Sequence, residues 1–195
     1  MNLELRNVSK AFGGLSVLKN FSFSFPKGIT AIIAPSGSGK TTLLRIIAGL
    51  EKPDSGEVVF PREGKLSFMF QEDRLLPALT AAENIAVVAG GDKAIGAKWI
   101  KLVGLEGFEN AYPHELSGGM KRRVALGRTL AFGGEIALLD EPFKGLDSES
   151  KEKIQSATLD ELREKITIII THDKAEAERL GAKIFEAEGP PLEIK

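Results

Sequence analysis

The sequence predicts an α/β protein built on a mainly parallel sheet, and three observations carry that expectation. Short apolar runs alternate with helical stretches along the chain, the pattern of repeated strand–helix–strand units. Three of the runs, residues 29–34, 135–139 and 166–170, are apolar almost throughout, as strands covered on both faces are. Glycine makes up 21 of 195 residues, above the usual ~7%, and its clusters part these stretches and mark the expected chemistry.

The elements follow in order. Leu3, Leu5 and Val8 mark a short first strand. Phe21, Phe23 and Phe25 alternate with Ser22 and Ser24, which describes a half-buried strand with one aromatic face. Pro26-Lys27-Gly28 turns the chain into strand 29–34. Residues 39–50 read as a helix burying Leu43, Leu44, Ile46 and Ile47, with Gly49 weakening or closing it. Residues 57–60 and 65–70 are short strands. From Thr80 to Leu116 the pattern is helical, with pieces at 81–89 and 94–102 parted by Gly90-Gly91, an inserted helical lobe. Ser117 caps a further helix that runs to Phe132. Met120, Val124, Gly127 and Ala131 form its inward stripe, and Lys121, Arg122, Arg123 and Arg128 read as its solvated face. Gly133-Gly134 breaks it. Strand 135–139, a charged amphipathic helix at 148–165, strand 166–170, helix 174–180 and strand 183–188 complete the chain.

Composition removes several classes of function. Lys and Arg number 26 and Asp and Glu 27, for a net charge of −1. That excludes a strongly basic nucleic-acid binder and membrane binding by charge alone. The absence of cysteine excludes disulfides, iron–sulfur clusters, thiolate zinc sites and cysteine nucleophiles. His114 and His172 are too few for a His-rich metal site. No apolar run approaches the ~18–20 residues that span a bilayer. The first ten residues lack the basic-then-apolar pattern of a secretory signal, so a cytoplasmic location is expected.

The strongest local pattern is Ala34-Pro35-Ser36-Gly37-Ser38-Gly39-Lys40-Thr41-Thr42, after an apolar strand and before a helix. That is the setting of a P-loop. Glycines let backbone N–H groups converge on phosphate oxygens, and a helix N-terminus adds unpaired donors and a positive dipole end. Lys40 would reach the β- and γ-phosphates, and the Thr41 hydroxyl would ligate Mg²⁺. Alanine at position 34, where the pattern has glycine, is expected to alter the loop slightly. A plain Gly/Ser turn is the competing reading.

Asp140 ends strand 135–139 and precedes Glu141-Pro142. An acid at the carboxyl end of a buried strand stands where open α/β sheets bind ligands. Asp140 would hold magnesium through water, and Glu141 would polarise an attacking water; a strand cap and turn is the plain alternative. Leu116-Ser117-Gly118-Gly119-Met120 makes a second anion-binding helix start. Two cradles in one small chain suggest two chains that sandwich nucleotide between unlike surfaces; an ordinary N-cap is the alternative.

Together these motifs resemble the ATP-binding-cassette (ABC) ATPase family over nearly the whole chain. Residues 34–41 are similar to Walker A, Gln71 to the Q-loop glutamine, Leu116–Met120 to the signature, residues 135–141 to Walker B, Gly145-Leu146-Asp147 to the D-loop and His172 to the switch histidine. The run Gln71-Glu72-Asp73-Arg74-Leu75-Leu76-Pro77 is similar to importer subunits for nitrate, sulfonate, taurine and related small solutes.

The resemblance implies one cassette over residues 1–195. Its core would comprise 1–77 and 133–195, with an N-terminal antiparallel β subdomain, a helical subdomain at about 78–132, and no C-terminal regulatory domain. It implies that Phe12 stacks on adenine with Val17 close by. Ala34, Pro35, Ser36, Gly37, Ser38, Gly39, Lys40, Thr41 and Thr42 would hold the phosphates of ATP. Thr41, Gln71 and Asp140 would serve Mg²⁺, and Lys40, Gln71, Glu141 and His172 catalysis. Ser117, Gly118 and Gly119 would meet the γ-phosphate held by a second copy of the chain.

Implied partners are that second copy, transmembrane permease subunits facing the helical lobe, and an extracytoplasmic solute-binding protein, with no nucleic acid. The implied place is the inner face of the cell membrane. Met120 where the family has glutamine, and Lys144-Gly145 where it commonly has Ser-Ala, depart from the pattern. His114 matches no role. An exporter or non-transport subunit, an ABC ATPase acting on DNA or ribosomes, and a small-molecule kinase are the other readings. The kinase would not need Leu116–Met120 or His172.

Overall fold

The computed structural model describes residues 2–61 and 64–195. Two sheets share the chain. β1 (Leu3–Phe12), β2 (Leu15–Phe25) and β4 (Ser55–Val59) form an antiparallel sheet in the order β2-β1-β4. β3 (Gly28–Ile33), β5 (Leu66–Met69), β6 (Ile136–Asp140), β7 (Ile166–Thr171), β8 (Lys183–Glu188) and β9 (Glu193–Ile194) form the second. Its order is β5-β6-β7-β3-β8-β9, parallel except for β9.

The apolar runs behave as their composition requires. Along β6 and β7 successive side chains enter opposite cores. Leu138, Ile168 and Ile170 join Leu3, Leu5, Val8, Phe25 and the buried face of α1 (Lys40–Ile47: Leu43, Leu44, Ile46, Ile47). Leu139 and Ile169 face the other way, into a cluster with Ile85, Trp99, Val124, Leu126, Ile154 and Leu162. Period-two alternation inside a strand buried throughout therefore supplies two cores from one sheet.

The helical stretch is sparser than the sequence pattern predicts. α2 (Ala81–Ala86) and α3 (Lys93–Leu102) are joined by a 3₁₀ turn, Val87–Ala89, and only another 3₁₀ turn, Pro113–Glu115, lies between α3 and α4 (Gly118–Ala131). A capping box closes the start of α2, with Thr80 and Glu83 bonding each other's backbone. The expected inward stripe of α4 packs on α2 and α3; a Cβ on Gly127 would come within 2.9 Å of Ile85. α5 (Ser148–Arg163) and α6 (Lys174–Arg179) flank β7. Three strands exceed expectation: β1 and β2 continue to a hairpin at Gly13-Gly14, and β9 follows β8.

Strand register positions the site. Ile33 of β3 pairs with Thr171 of β7, Asp140 of β6 with Ile170 of β7, and Met69 of β5 with Leu139 of β6. Four strands therefore end at one edge, and the segments that follow them, beginning at Ala34, Phe70, Glu141 and His172, hang from it side by side. Carboxyl ends of parallel strands are where such sheets bind ligands.

Candidate active site

The loop after β3 turns through Gly37 and Gly39, whose φ angles are +80° and +104°. Gly39 is required twice over, because a Cβ there would also lie 2.8 Å from Val17 Cγ1. Ala34 has an ordinary negative φ, so alanine costs its backbone nothing at that place. Gly39 forms the N-cap of α1 and offers no side chain. Of the six α-helices described, α1 alone lacks a side-chain N-cap; Thr80, Asp92, Ser117, Asp147 and Asp173 serve the others. The first N–H groups of α1 are therefore left for an anion.

Lys40 is buried, and its ammonium donates to the carbonyls of Ala34 (2.7 Å) and Pro35 (2.6 Å) and to the Ser38 hydroxyl (3.2 Å). Burial pushes its pKa down from the ordinary lysine value, against the pull of Glu141 and Asp140. Thr41 donates its hydroxyl to Asp140 Oδ2 at 2.8 Å, joining helix α1 to the end of β6. Burial raises the Asp140 carboxyl; the Thr41 bond opposes this, and the charge of Glu141 adds to it. Glu141 adopts φ +53°, a left-handed conformation that costs a non-glycine residue about 1 kcal/mol or more. Its carboxylate meets His172 Nδ1 at 2.9 and 3.0 Å, a contact that places the proton on Nδ1 as donor.

A cleft of about 270 Å³ lies over these groups, lined by Val17, Ser36, Gly37, Gly39, Lys40, Thr41, Thr42, Gln71, Asp140, Glu141 and Ile170. Ser38 is buried beneath it. Ala34, Pro35 and His172 line an adjoining depression. Phe12 stands at the hairpin end of β1, 47% exposed, with the Lys10 ammonium 5.0 Å from its ring centre. The predicted phosphate, magnesium and water-orienting residues thus come together within one chain.

Ser117, Gly118 and Gly119 do not line that cleft. Ser117 accepts the Met120 N–H at 3.2 Å as a plain N-cap, and Gly118 is exposed. Gly119 approaches the segment after β6 so closely that a Cβ would lie 3.1 Å from the Gly145 carbonyl. Met120 packs against the cluster under α4.

One sequence reading fails here: Arg122 does not lie on a solvated face. It is 4% exposed, and its guanidinium reaches the ends of β5 and β6. Arg128 donates to the carbonyls of Asp73 and Arg74. Charge runs on helices are usually solvated, and nothing in the local sequence separates Arg122 from Lys121.

Chemically, the cleft offers uncapped amides, a lysine and a hydroxyl–carboxylate pair, a set suited to a phosphate chain with a hard cation. Among the described residues no three acidic or histidine groups gather to hold a metal. The Thr41 hydroxyl and the Asp140 carboxylate, 2.8 Å apart, are hard oxygen donors of the kind that hold Mg²⁺ beside phosphate and water.

The family profile described as ABC transporter matches residues 18–144. The aliphatic sulfonates import ATP-binding protein SsuB 1 of Shouchella clausii (strain KSM-K16) is 44% identical over 96% of this chain and 78% of its own. The sulfate/thiosulfate import ATP-binding protein CysA of Escherichia coli (strain K12) is 38% identical over 94% of this chain and 57% of its own. Among solved structures, the dimeric post-hydrolysis state of the ATP-binding cassette MJ0796, bound to ADP and Pi, superposes with a TM-score of 0.86 at 31% identity, covering 98% of both chains. Fold, motif order and relatives agree: the chain belongs to the ABC transporter family and has the fold of its ATP-binding cassette.

Proposed function

We propose that this chain binds ATP in the cleft over α1, hydrolyses it to ADP and phosphate, and thereby powers solute import through separate membrane-spanning subunits. The observation that carries the reading is the uncapped start of α1 facing Asp140, Glu141 and Gln71 across one cleft. The amides of residues 36–42 and the Lys40 ammonium would cradle the phosphates, Lys40 exchanging neutral carbonyl acceptors for charged oxygens. Phe12, exposed at the hairpin, would stack on adenine, with Val17 at the base of the cleft. Thr41, Gln71 and Asp140 would hold Mg²⁺, which when bound offsets phosphate charge. Glu141 would orient the attacking water, and His172 would steady its carboxylate and the γ-phosphate.

The tip of α4 does not line this cleft, so Ser117, Gly118 and Gly119 would serve the ATP of a second copy. The name of the dimeric MJ0796 structures supports that assembly. Residues 1–77 and 133–195 would act as the core and 78–132 as the lobe that meets permease subunits at the inner face of the membrane. No helix of the described residues is long and apolar enough to cross a membrane itself. The relatives named for aliphatic sulfonates and for sulfate/thiosulfate support import of a small anionic solute, selected by the permease and an extracytoplasmic binding protein.

Glu141→Gln tests the reading. It should leave ATP affinity intact and slow turnover by about 10²-fold or more. It should also run as an ATP-dependent dimer in sizing chromatography. Unchanged turnover would assign the water to another group, and a monomer at saturating ATP would refute the sandwich.

A further inference from the structure

Arg122 is the one strongly buried arginine of the chain's described residues, and everything it touches belongs to a different motif. Nη1 donates to the carbonyls of Phe70 (2.8 Å) and Gln71 (3.0 Å) and to Asp73 Oδ1 (3.1 Å). Nη2 donates to the carbonyls of Asp140 and Glu141, and Nε to the Glu141 carbonyl at 3.1 Å. The guanidinium therefore fills the seam between two strand ends, gripping the segment after β5 and the segment after β6 at once. It projects from α4 little more than one turn beyond Ser117.

Filling that space does not require a charge. A buried cation is costly unless all its donors are matched, and methionine would pack there at less cost. What the planar fork adds is direction: its donors point at carbonyls at two strand ends simultaneously, as a single ammonium does not. One of those carbonyls belongs to Glu141, whose left-handed backbone persists only because its surroundings over-determine it.

We propose that Arg122 is a positioning residue for hydrolysis. Its fork fixes the backbone on which the Glu141 carboxylate and the Gln71 amide are mounted, and ties both to the helix that carries Ser117. Arg122 touches no nucleotide itself. The role rests on the reading of Glu141 as the water-orienting group. Removing the fork should leave the phosphate cradle intact and misplace the groups around the attacking water, so the loss falls on turnover and not on binding.

The test compares the full-length parent with Arg122→Met and Arg122→Lys. ATP affinity is measured under non-hydrolysing conditions, kcat and KM in steady state, and amide exchange without nucleotide. Arg122→Met should bind ATP within about threefold of the parent and lose at least about tenfold in kcat with KM little changed. Arg122→Lys, which keeps the charge and loses the fork, should recover less than half of that loss. In both variants exchange should accelerate at residues 70–73 and 140–143, but not at 38–42.

A kcat within twofold of the parent in Arg122→Met would overturn the proposal. So would a parallel fall of affinity and kcat with faster exchange through residues 38–42, which marks general loosening. Should Arg122→Met not fold, Arg122→Lys is judged by the same criteria. A parent that binds ATP without hydrolysing it would refute the proposed function. The exchange pattern would then decide the role of Arg122 separately: unchanged protection at 70–73 and 140–143 would overturn it.

Discussion

α1 and α4 both begin in a serine- and glycine-rich segment, and by the physics of helix ends both present free donors and a positive dipole end. Their surroundings differ. The start of α1 has no side-chain cap, and lies under a cleft that already contains Asp140, Glu141 and Gln71. The start of α4 is capped by Ser117, is partly exposed, and does not line that cleft. One helix start sits in a site assembled by its own sheet; the other is a tip without a site. Motif content alone does not separate them, because the difference lies in which strand end each loop hangs from. α1 follows β3 in the middle of the parallel sheet, whereas α4 follows the 3₁₀ turn of the lobe.

The most forceful way to break the contrast is Lys40→Ala. If α1 is the binding half, ATP affinity measured by calorimetry should fall by roughly 10²-fold or more, the scale of losing a charged donor in a preorganised cradle. Affinity within threefold of the parent would move the binding half elsewhere.

Ser117→Ala should act oppositely. ATP binding by the isolated chain should stay within about twofold, since Ser117 lies outside the cleft, while ATP-dependent dimerisation and turnover fall by roughly tenfold, and helix stability drops by about 1 kcal/mol with the cap. Mixing Ser117→Ala with Lys40→Ala sharpens the point. One intact composite site should return, so activity of the mixture should exceed that of either variant; no recovery would show that α4 does not complete a neighbour's site.

The smallest effect concerns the buried acid behind His172. Glu176 is 3% exposed, with Lys151 Nζ at 3.6 Å, and burial raises its carboxyl above the ordinary 4.5 despite the Thr171 bond and the Lys151 charge. The raised value means that the folded chain holds this proton when the unfolded chain has released it. Stability from this group is therefore lost as pH rises from 4.5 through the folded value. Glu176→Gln escapes that loss. The melting temperature of the variant minus that of the parent should grow between pH 4 and pH 7, and a gap that shrinks over that range would contradict the burial argument.

Legibility in the sequence followed the range of the interaction. The strands that enter the site, the helix after Lys40 and the inward stripe of α4 were readable because an apolar run or a 3.6-residue stripe states its own burial. The edge shared by Asp140, Glu141, Gln71 and His172 was readable only by way of the parallel sheet, since pairing of β6 with β7 is not written in either strand alone. The hairpin through Gly13-Gly14 and the pairing of β9 with β8 are not legible, because they are held by ladder bonds between short segments in which polar and apolar residues mix without a clear period. Arg122 could not be distinguished from its neighbours, because what buries it comes from β5 and β6, some 50 and 20 residues away in sequence.

The pairing of Gly28 and Ile136 with Ile166 means that β3, β6 and β7 also start level with one another, at the margin remote from every group discussed above. The molecule is consequently one-sided. Connections on that far margin carry the fold and not the chemistry: Gly134, for one, has no room for a Cβ beside Ser67. On the near margin an inserted residue would displace the groups that hang from the strand ends, and with them the chemistry.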